Sequence, residues 1–390
     1  MRRLLLGLVL FTPACGSDTT NDTENPPGDG DSDEATHSAL DAYLEGQLET
    51  LGVPGLSAAI IKNGTVQWSG GYGLANVETG LPMTADTPIM LASISKTPTA
   101  VALMQVWEEQ GFDLQSDVDD ILGFSIDNPG APNDPITIHQ LLTHTSSIQD
   151  NWSVMDAYYV EGDSEIPVGT YLEAYLNSTG ELYEASRNFS SDAPGTSYDY
   201  SNIGAATVGH LVEALTGQDF GAWCNSRIFD PLGMTHTGWF LADFDPDVVA
   251  MPYRYNQGSE EWVAYGHYGY PDYPDGQLRA SAHDLAVFLA TISNAGTYDG
   301  TRILEASTVE SLLASQIPSI DPEQGLIWFG FDWLGSTWYG HDGGDWGINT
   351  DMMFRQEDGT GFVLLVNGEL NNYIAFYDVE ERLIQEAATY

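Results

Sequence analysis

The sequence predicts an α/β (α+β) fold in which an antiparallel sheet is built from the two ends of the chain. Helices flank that sheet, and a mostly helical lobe is inserted between the ends. Three observations predict it. Strand-like runs occupy residues 55–72 and about 327–368. Helical periodicity and loops dominate residues 115–295 between them. Hydrophobic residues make up 42% of the 390 and aromatics 11%, enough to build a large core. The chain carries no internal repeat.

Taken in order, the chain opens on an address. Arg2 and Arg3 precede an apolar run from Leu4 to Phe11, too short to span a bilayer, and then Ala14-Cys15-Gly16. This is a secretory signal pattern over residues 1–15, and Cys15 resembles the lipidated Cys of a bacterial lipobox. The expectation is export across the inner membrane and a lipid anchor on Cys15, in the periplasm or on the cell surface. Ordinary cleavage beside Cys15 is the alternative. Residues 16–36 hold seven acids and one apolar residue, Ala35, so they read as a disordered acidic linker. Asp29, Asp31 and Asp33 alternate like a calcium loop but lack its Gly and distal Glu spacing.

Residues 37–390 read as one folded domain. Ala39 to Leu51 has helical spacing. Gly55–Ile61 and Thr65–Tyr72 are strand-like and meet at Asn63-Gly64, a strong hairpin signal. Helices are predicted from Ser93 to Gln110 and near 138–143, 202–216 and 282–294. Strands return in the final block, with turns near Gly335 and at Asp358-Gly359. An amphipathic helix over 373–388 closes the chain, with Ile374, Phe376, Val379, Leu383 and Ile384 at apolar positions.

Charge narrows the function. Asp and Glu number 57 against 11 Lys and Arg, a net charge of −46. Such a field repels phosphate backbones, which excludes nucleic acid as a partner, and it equally excludes a polybasic membrane-surface protein. The acidity persists beyond the linker, and a lysine-poor acidic surface suits a saline habitat where salt screens self-repulsion. Two cysteines, Cys15 and Cys224, exclude a disulfide scaffold and a cysteine zinc cluster.

One of only two lysines lies in Ser93-Ile94-Ser95-Lys96. Three residues apart on a helix, Ser93 and Lys96 share a face. A serine hydroxyl needs a neighbouring base, and a buried lysine can be one because desolvation lowers its pKa. Free N–H groups at a helix start can also hold an oxyanion. Tyr200-Ser201-Asn202 follows about a hundred residues on. A Tyr near a cation can relay a proton and an Asn amide can bind a carbonyl, although Asn202 as a helix cap is the simpler reading of that triplet. His341-Asp342-Gly343-Gly344 lies in the last strand block, where glycines mark close approach. The Gly344 N–H is a candidate second oxyanion donor.

Together and in this order, the three motifs resemble the serine penicillin-recognising enzymes, with Ser-x-x-Lys, Tyr-x-Asn and Lys/His-x-Gly elements. The Tyr200 form is similar to the class C β-lactamase, D-Ala-D-Ala carboxypeptidase and esterase branch. The stretches Ile136 to Ser146, Pro194 to Gly204, Phe229 to Thr237 and Gly276 to Phe288 are similar to further segments of that family, so the likeness runs from about residue 40 to 385. The resemblance implies a β-lactamase/transpeptidase-like fold with its site in the cleft between sheet and lobe. It implies acyl transfer by Ser93, proton shuttling by Lys96 and Tyr200, an oxyanion hole from Ser93 and Gly344, and deacylation with Tyr200 as base. Asn202, His341, Asp342 and Gly343 would bind substrate. No metal and no organic cofactor is implied.

Departures from the family pattern bear on substrate. His341 replaces a permanent cation and is charged only when protonated. Asp342 adds negative charge, and Ser147 stands where the family usually has Gly. These features favour a neutral or cationic ester or amide, or a peptide, over a penicillin. A true β-lactamase and an idle binder of peptidoglycan peptides or β-lactams are the alternatives. His144 reads as structural, and its spacing of five from His139 is poor for a metal. Cys224 reads as buried and inert. The aromatic loop Tyr253 to Tyr273, with Trp152, Tyr158 and Trp346, either lines an acyl pocket or packs on the core.

Overall fold

A computed structural model describes residues 32–390. The signal-peptide segment, Cys15 and residues 16–31 of the acidic linker lie outside the described residues. The chain divides into Met1–Ala39 and Leu40–Tyr390. Of the first unit, the described part is the opening of helix α1 (Ser32–Leu51). That helix begins earlier than the sequence reading places it, inside the stretch assigned to the linker. The helix-breaking residues Pro26, Pro27, Gly28 and Gly30 end just before it, and nothing after Gly30 opposes a helix until Gly46.

Leu40–Tyr390 is built around one seven-stranded sheet. Its strands are β1 (Gly55–Lys62), β2 (Thr65–Asn76), β3 (Leu81–Pro82), β4 (Phe329–Trp333), β5 (Ser336–Asp345), β6 (Ile348–Arg355) and β7 (Thr360–Val366). Their order across the sheet is β4-β5-β6-β7-β1-β2-β3, antiparallel throughout. The N-terminal strand β1 lies against the C-terminal strand β7, with Ala58 opposite Leu364. The sheet joins the two chain ends as the strand pattern predicts. Asn63 and Gly64 both take positive φ, 52° and 70°, as the tight β1–β2 hairpin requires.

Both sheet faces are covered, which is why β1 is apolar at nearly every position. Leu56, Ala58 and Ile60 face one core with Leu40 and Leu44 of α1 and with Val379 and Leu383 of α5 (Tyr373–Ala387). Ala59 and Ile61 face the other, larger core. There α4 (Ala282–Ser293) crosses the sheet and the helical lobe begins. Two lobe helices matter for the site. In α2 (Lys96–Gln110) every residue from Lys96 to Val106 is buried, so it forms the centre of the lobe. It packs on α3 (Asn202–Thr216). Ser201 caps α3, its side chain accepting from the Gly204 N–H at 2.9 Å.

Ser147 now has a structural reading. Its φ is +69°, the left-handed region that favours glycine, and its buried hydroxyl has no hydrogen-bond partner. Ser147→Gly is expected to stabilise the protein by about 1 kcal/mol, a rise in melting temperature of roughly 2 °C in calorimetry. An unchanged or lower melting temperature would refute the strain.

Candidate active site

Ser93 does not lie on an α-helix. It lies on a 3-10 turn, Ala92–Ser95, that leads into α2 at Lys96. The tighter turn serves the pair better than the predicted α-helix, since residues three apart eclipse on a 3-10 helix. Ala92, just before the serine, takes φ +49°, a rare conformation for a residue with a side chain. Gly343 of β5 packs against this turn. A Cβ there would meet the Leu91 carbonyl oxygen at 2.4 Å and the Ser93 nitrogen at 3.1 Å, so only glycine lets strand and turn approach.

Lys96 is fully buried. Its Nζ donates to the Asp275 carbonyl at 2.7 Å and to Ser93 Oγ at 3.1 Å. The segment around Asp275 is tied twice more, once to α2 and once to the turn before it. Thr99 Oγ1 donates to the Pro274 carbonyl at 2.7 Å, and the Leu278 N–H donates to Ser95 Oγ at 3.1 Å. Burial pushes the Lys96 pKa below the ordinary lysine value, while Asp275, Asp150, Asp272 and Asp345 pull it back up.

Tyr200 is brought to the same place. Its ring centroid lies 5.1 Å from Lys96 Nζ, and its buried hydroxyl faces Ser93 without meeting full hydrogen-bond geometry. Burial holds this phenol well above its usual pKa, so it rests protonated. His144 packs against Tyr200 with the rings tilted by 31° and centroids 4.4 Å apart, and its Nδ1 accepts from the Ser201 N–H at 3.2 Å. That is the structural role expected of His144.

Asn202 is the first residue of α3 and is held by Asp150, which the sequence reading overlooked. The half-buried Asp150 carboxylate accepts from the Asn202 N–H at 2.9 Å, the Asn202 Nδ2 at 2.9 Å and the Ile203 N–H at 3.2 Å. It caps the helix and orients the Asn202 amide together.

His341 is buried beside Tyr200, ring centroids 6.2 Å apart. Its Nδ1 donates to the Asp342 carbonyl at 2.5 Å, which leaves Nε2 as a buried acceptor without a partner. Burial is the main cause that lowers its pKa to about 4, so the ring is neutral at pH 7. Gly343 is opposite Thr350 and Gly344 opposite Asn349 in the β5–β6 ladder.

Two adjoining cavities open at Ser93, and Gly344 and Asn202 line both. The first, of about 450 Å³, is lined also by Asp150, Arg187, Asp199 and Tyr200. The second, of about 280 Å³, is lined also by Lys96, Tyr159, Asp272, Asp275 and Asp345, and Trp152 lines both. His341, Asp342 and Gly343 are not among the lining residues, so the negative charge of the cleft comes from other carboxylates than Asp342. Trp152 and Trp346 do line the cleft. Tyr158 packs on Tyr171 in the lobe at 5.2 Å, and its neighbour Tyr159 lines the cleft instead. Cys224 is buried and its thiol is pushed up by burial, as expected of an inert core cysteine. Among the described residues no group of His, Cys, Asp and Glu could hold a metal ion.

A serine hydroxyl against a buried lysine, in a cleft between an antiparallel sheet and a helical lobe, defines a penicillin-recognising architecture. Residues 40–387 match the family model "Beta-lactamase", and the chain belongs to that family. It is similar to "Protein flp" of Staphylococcus aureus (strain N315), 28% identical over 250 residues, covering 63% of this chain and 47% of that protein. The chain thus spans about half the length of that relative. It is 26% identical over 346 residues to "Penicillin-binding protein 4" of Amycolatopsis lactamdurans, covering 86% of each. Its fold matches the octameric penicillin-binding protein homologue from Pyrococcus abyssi with a TM-score of 0.69 and 25% identity, covering 89% of this chain and 77% of that one.

If Lys96 serves as base, the acid limb of the pH profile of kcat/KM reports the loss of its proton. The midpoint is expected below the ordinary lysine value of about 10.4, and Lys96→Ala is expected to lower the rate by roughly 10²–10⁴-fold. Near-normal turnover by that variant would remove Lys96 from the chemistry.

Proposed function

We propose that this chain is a serine hydrolase that cleaves ester or amide bonds through an acyl-enzyme, as an esterase or a D-amino-acid peptidase or carboxypeptidase. The observation that carries the reading is the 3.1 Å contact between Lys96 Nζ and Ser93 Oγ with the Tyr200 hydroxyl beside it. A deprotonated Lys96 can donate to the Asp275 carbonyl and turn its lone pair to Ser93. Ser93 Oγ attacks the carbonyl carbon as its proton passes to Lys96. The N–H groups of Ser93 and Gly344 receive the oxyanion. Tyr200, protonated at rest, gives its proton to the leaving group. The phenolate left behind then takes a proton from water for deacylation, and Lys96 returns its proton to Ser93. Asn202 positions the acyl carbonyl.

The neutral His341 and the carboxylate-rich cleft favour neutral or cationic substrates over penicillins, so the esterase or peptidase reading ranks above β-lactamase. The test compares hydrolysis of a short-chain p-nitrophenyl ester with that of a chromogenic cephalosporin, for wild type and Ser93→Ala. Ester cleavage that Ser93→Ala abolishes, with little cephalosporin turnover, is expected. Fast cephalosporin turnover would make the protein a β-lactamase. No mass gain at Ser93 with a serine-reactive probe would favour an idle binder.

We further propose that residues 1–15 direct export and that Cys15 carries a lipid, tethering the domain to a membrane through the acidic linker. The Ala14-Cys15-Gly16 pattern after the apolar run supports this. The wild-type protein is expected in the detergent phase on partitioning, and Cys15→Ala in the aqueous phase. A water-soluble wild type would refute the anchor.

A further inference from the structure

We propose that the second cavity is a subsite for a protonated amine on the acyl group of the substrate. This deepens the hydrolase reading and rests on it. The two cavities at Ser93 divide the proposed proton carriers: Lys96 lines only the second and Tyr200 only the first. Tyr200, which protonates the leaving group, lines only the first. The leaving group therefore departs on that side, and the acyl group occupies the second cavity, where Asp272, Asp275 and Asp345 converge.

These three carboxylates are unusual companions for a catalytic lysine. Asp272 is 3% exposed and Asp275 4%, yet both line the cavity. Among the described residues no hydrogen bond reaches the Asp275 carboxylate, and its backbone carbonyl alone holds Lys96. Buried carboxylates of this kind ordinarily acquire a partner. Among the described residues Lys96 is the one Lys or Arg that lines this cavity, and one ammonium cannot neutralise three carboxylates. Burial lifts the carboxyl pKa of all three, Asp345 to about 6, Asp272 to about 7 and Asp275 well above the ordinary range, so their charged forms lack sufficient stabilisation and a bound ammonium would favour ionisation.

The aromatic walls add a second attraction. Tyr159 stands 4.6 Å from Trp346 and 4.8 Å from Tyr270, centroid to centroid. The Tyr159 and Tyr270 hydroxyls donate to Asp345 at 3.3 Å. Aromatic rings beside a carboxylate attract an ammonium through both ring and charge. A cavity of about 280 Å³ suits one amino-acid-sized acyl group. An amino acid amide or ester with a free amine meets these conditions. On cleavage the Ser93 Oγ–acyl carbon bond forms, the acyl carbon–leaving-group bond breaks, and the free ammonium stays on the acyl half.

The test uses the full chain and p-nitroanilides of alanine, of both hands, with the amine free or acetylated. For at least one hand, kcat/KM is expected to be tenfold or more higher with the free amine. That ratio is expected to fall at least fivefold in Asp345→Asn and, independently, in Asp272→Asn. Because the ratio is taken within each protein, a general loss of activity in a variant cancels. Equal or faster cleavage of the acetylated substrates by wild type would overturn the subsite, as would a ratio unchanged in both variants. If p-nitrophenyl acetate still acylates Ser93 in that case, the hydrolase reading survives. If neither the anilides nor that ester acylates Ser93, both readings fall.

Discussion

The site depends on how Lys96 is held. An amine with no exposure to water needs partners, and its partners here are a main-chain carbonyl and the serine it serves. The carbonyl belongs to the segment around Asp275, and that segment is riveted to α2 through Thr99 and to the preceding turn through Ser95. The result is a clamp in which the lysine cannot drift from Ser93 unless α2 and the 274–278 segment separate. The 3-10 turn, the left-handed Ala92 and the bare Gly343 are the local concessions that let a sheet strand press on the same turn.

Around that clamp, electrostatics pull in opposite directions. Burial favours a neutral Lys96 and a protonated Tyr200, the states from which a proton can leave serine and reach a leaving group. The nearby carboxylates favour a charged lysine. Their own ionisation is costly in the same environment, so lysine and acids settle jointly rather than separately. A neutral His341 contributes shape and a hydrogen-bond acceptor rather than charge.

Much of this was legible from residues alone. Hairpin chemistry at Asn63-Gly64, strand runs at both ends and periodicity in α2, α3 and α5 each follow from local rules, and the elements fall within a few residues of expectation. Ser93, Lys96, Tyr200 and Gly344 meet because their motifs are short and each sits at the edge of a regular element. The acids escaped notice for a different reason. Asp150 and Asp272 lie on loops, Asp275 ends a short 3-10 turn and Asp345 ends a strand, in a chain with so many carboxylates that no single one stands out. Their significance lies in burial and convergence, which are properties of the tertiary fold. Tyr159 against Tyr158 shows the same thing at one-residue resolution, since neither composition nor spacing says which ring of an adjacent pair turns to the cleft.

The pairing of β1 with β7 has a consequence for the order of events in folding. Residues near position 58 cannot find their neighbours near position 364 until almost the whole chain has emerged from the ribosome. Every strand on the other side of β1 in the sheet order, from β7 out to β4, comes from the last sixty residues or so. The central sheet closes through contacts of very long sequence separation, and such contacts form slowly because the intervening loop must first be ordered. A nascent chain of this topology lacks its sheet throughout synthesis. That delay keeps the polypeptide threadable, the condition in which a chain can be passed through a narrow translocation pore before it commits to its native shape.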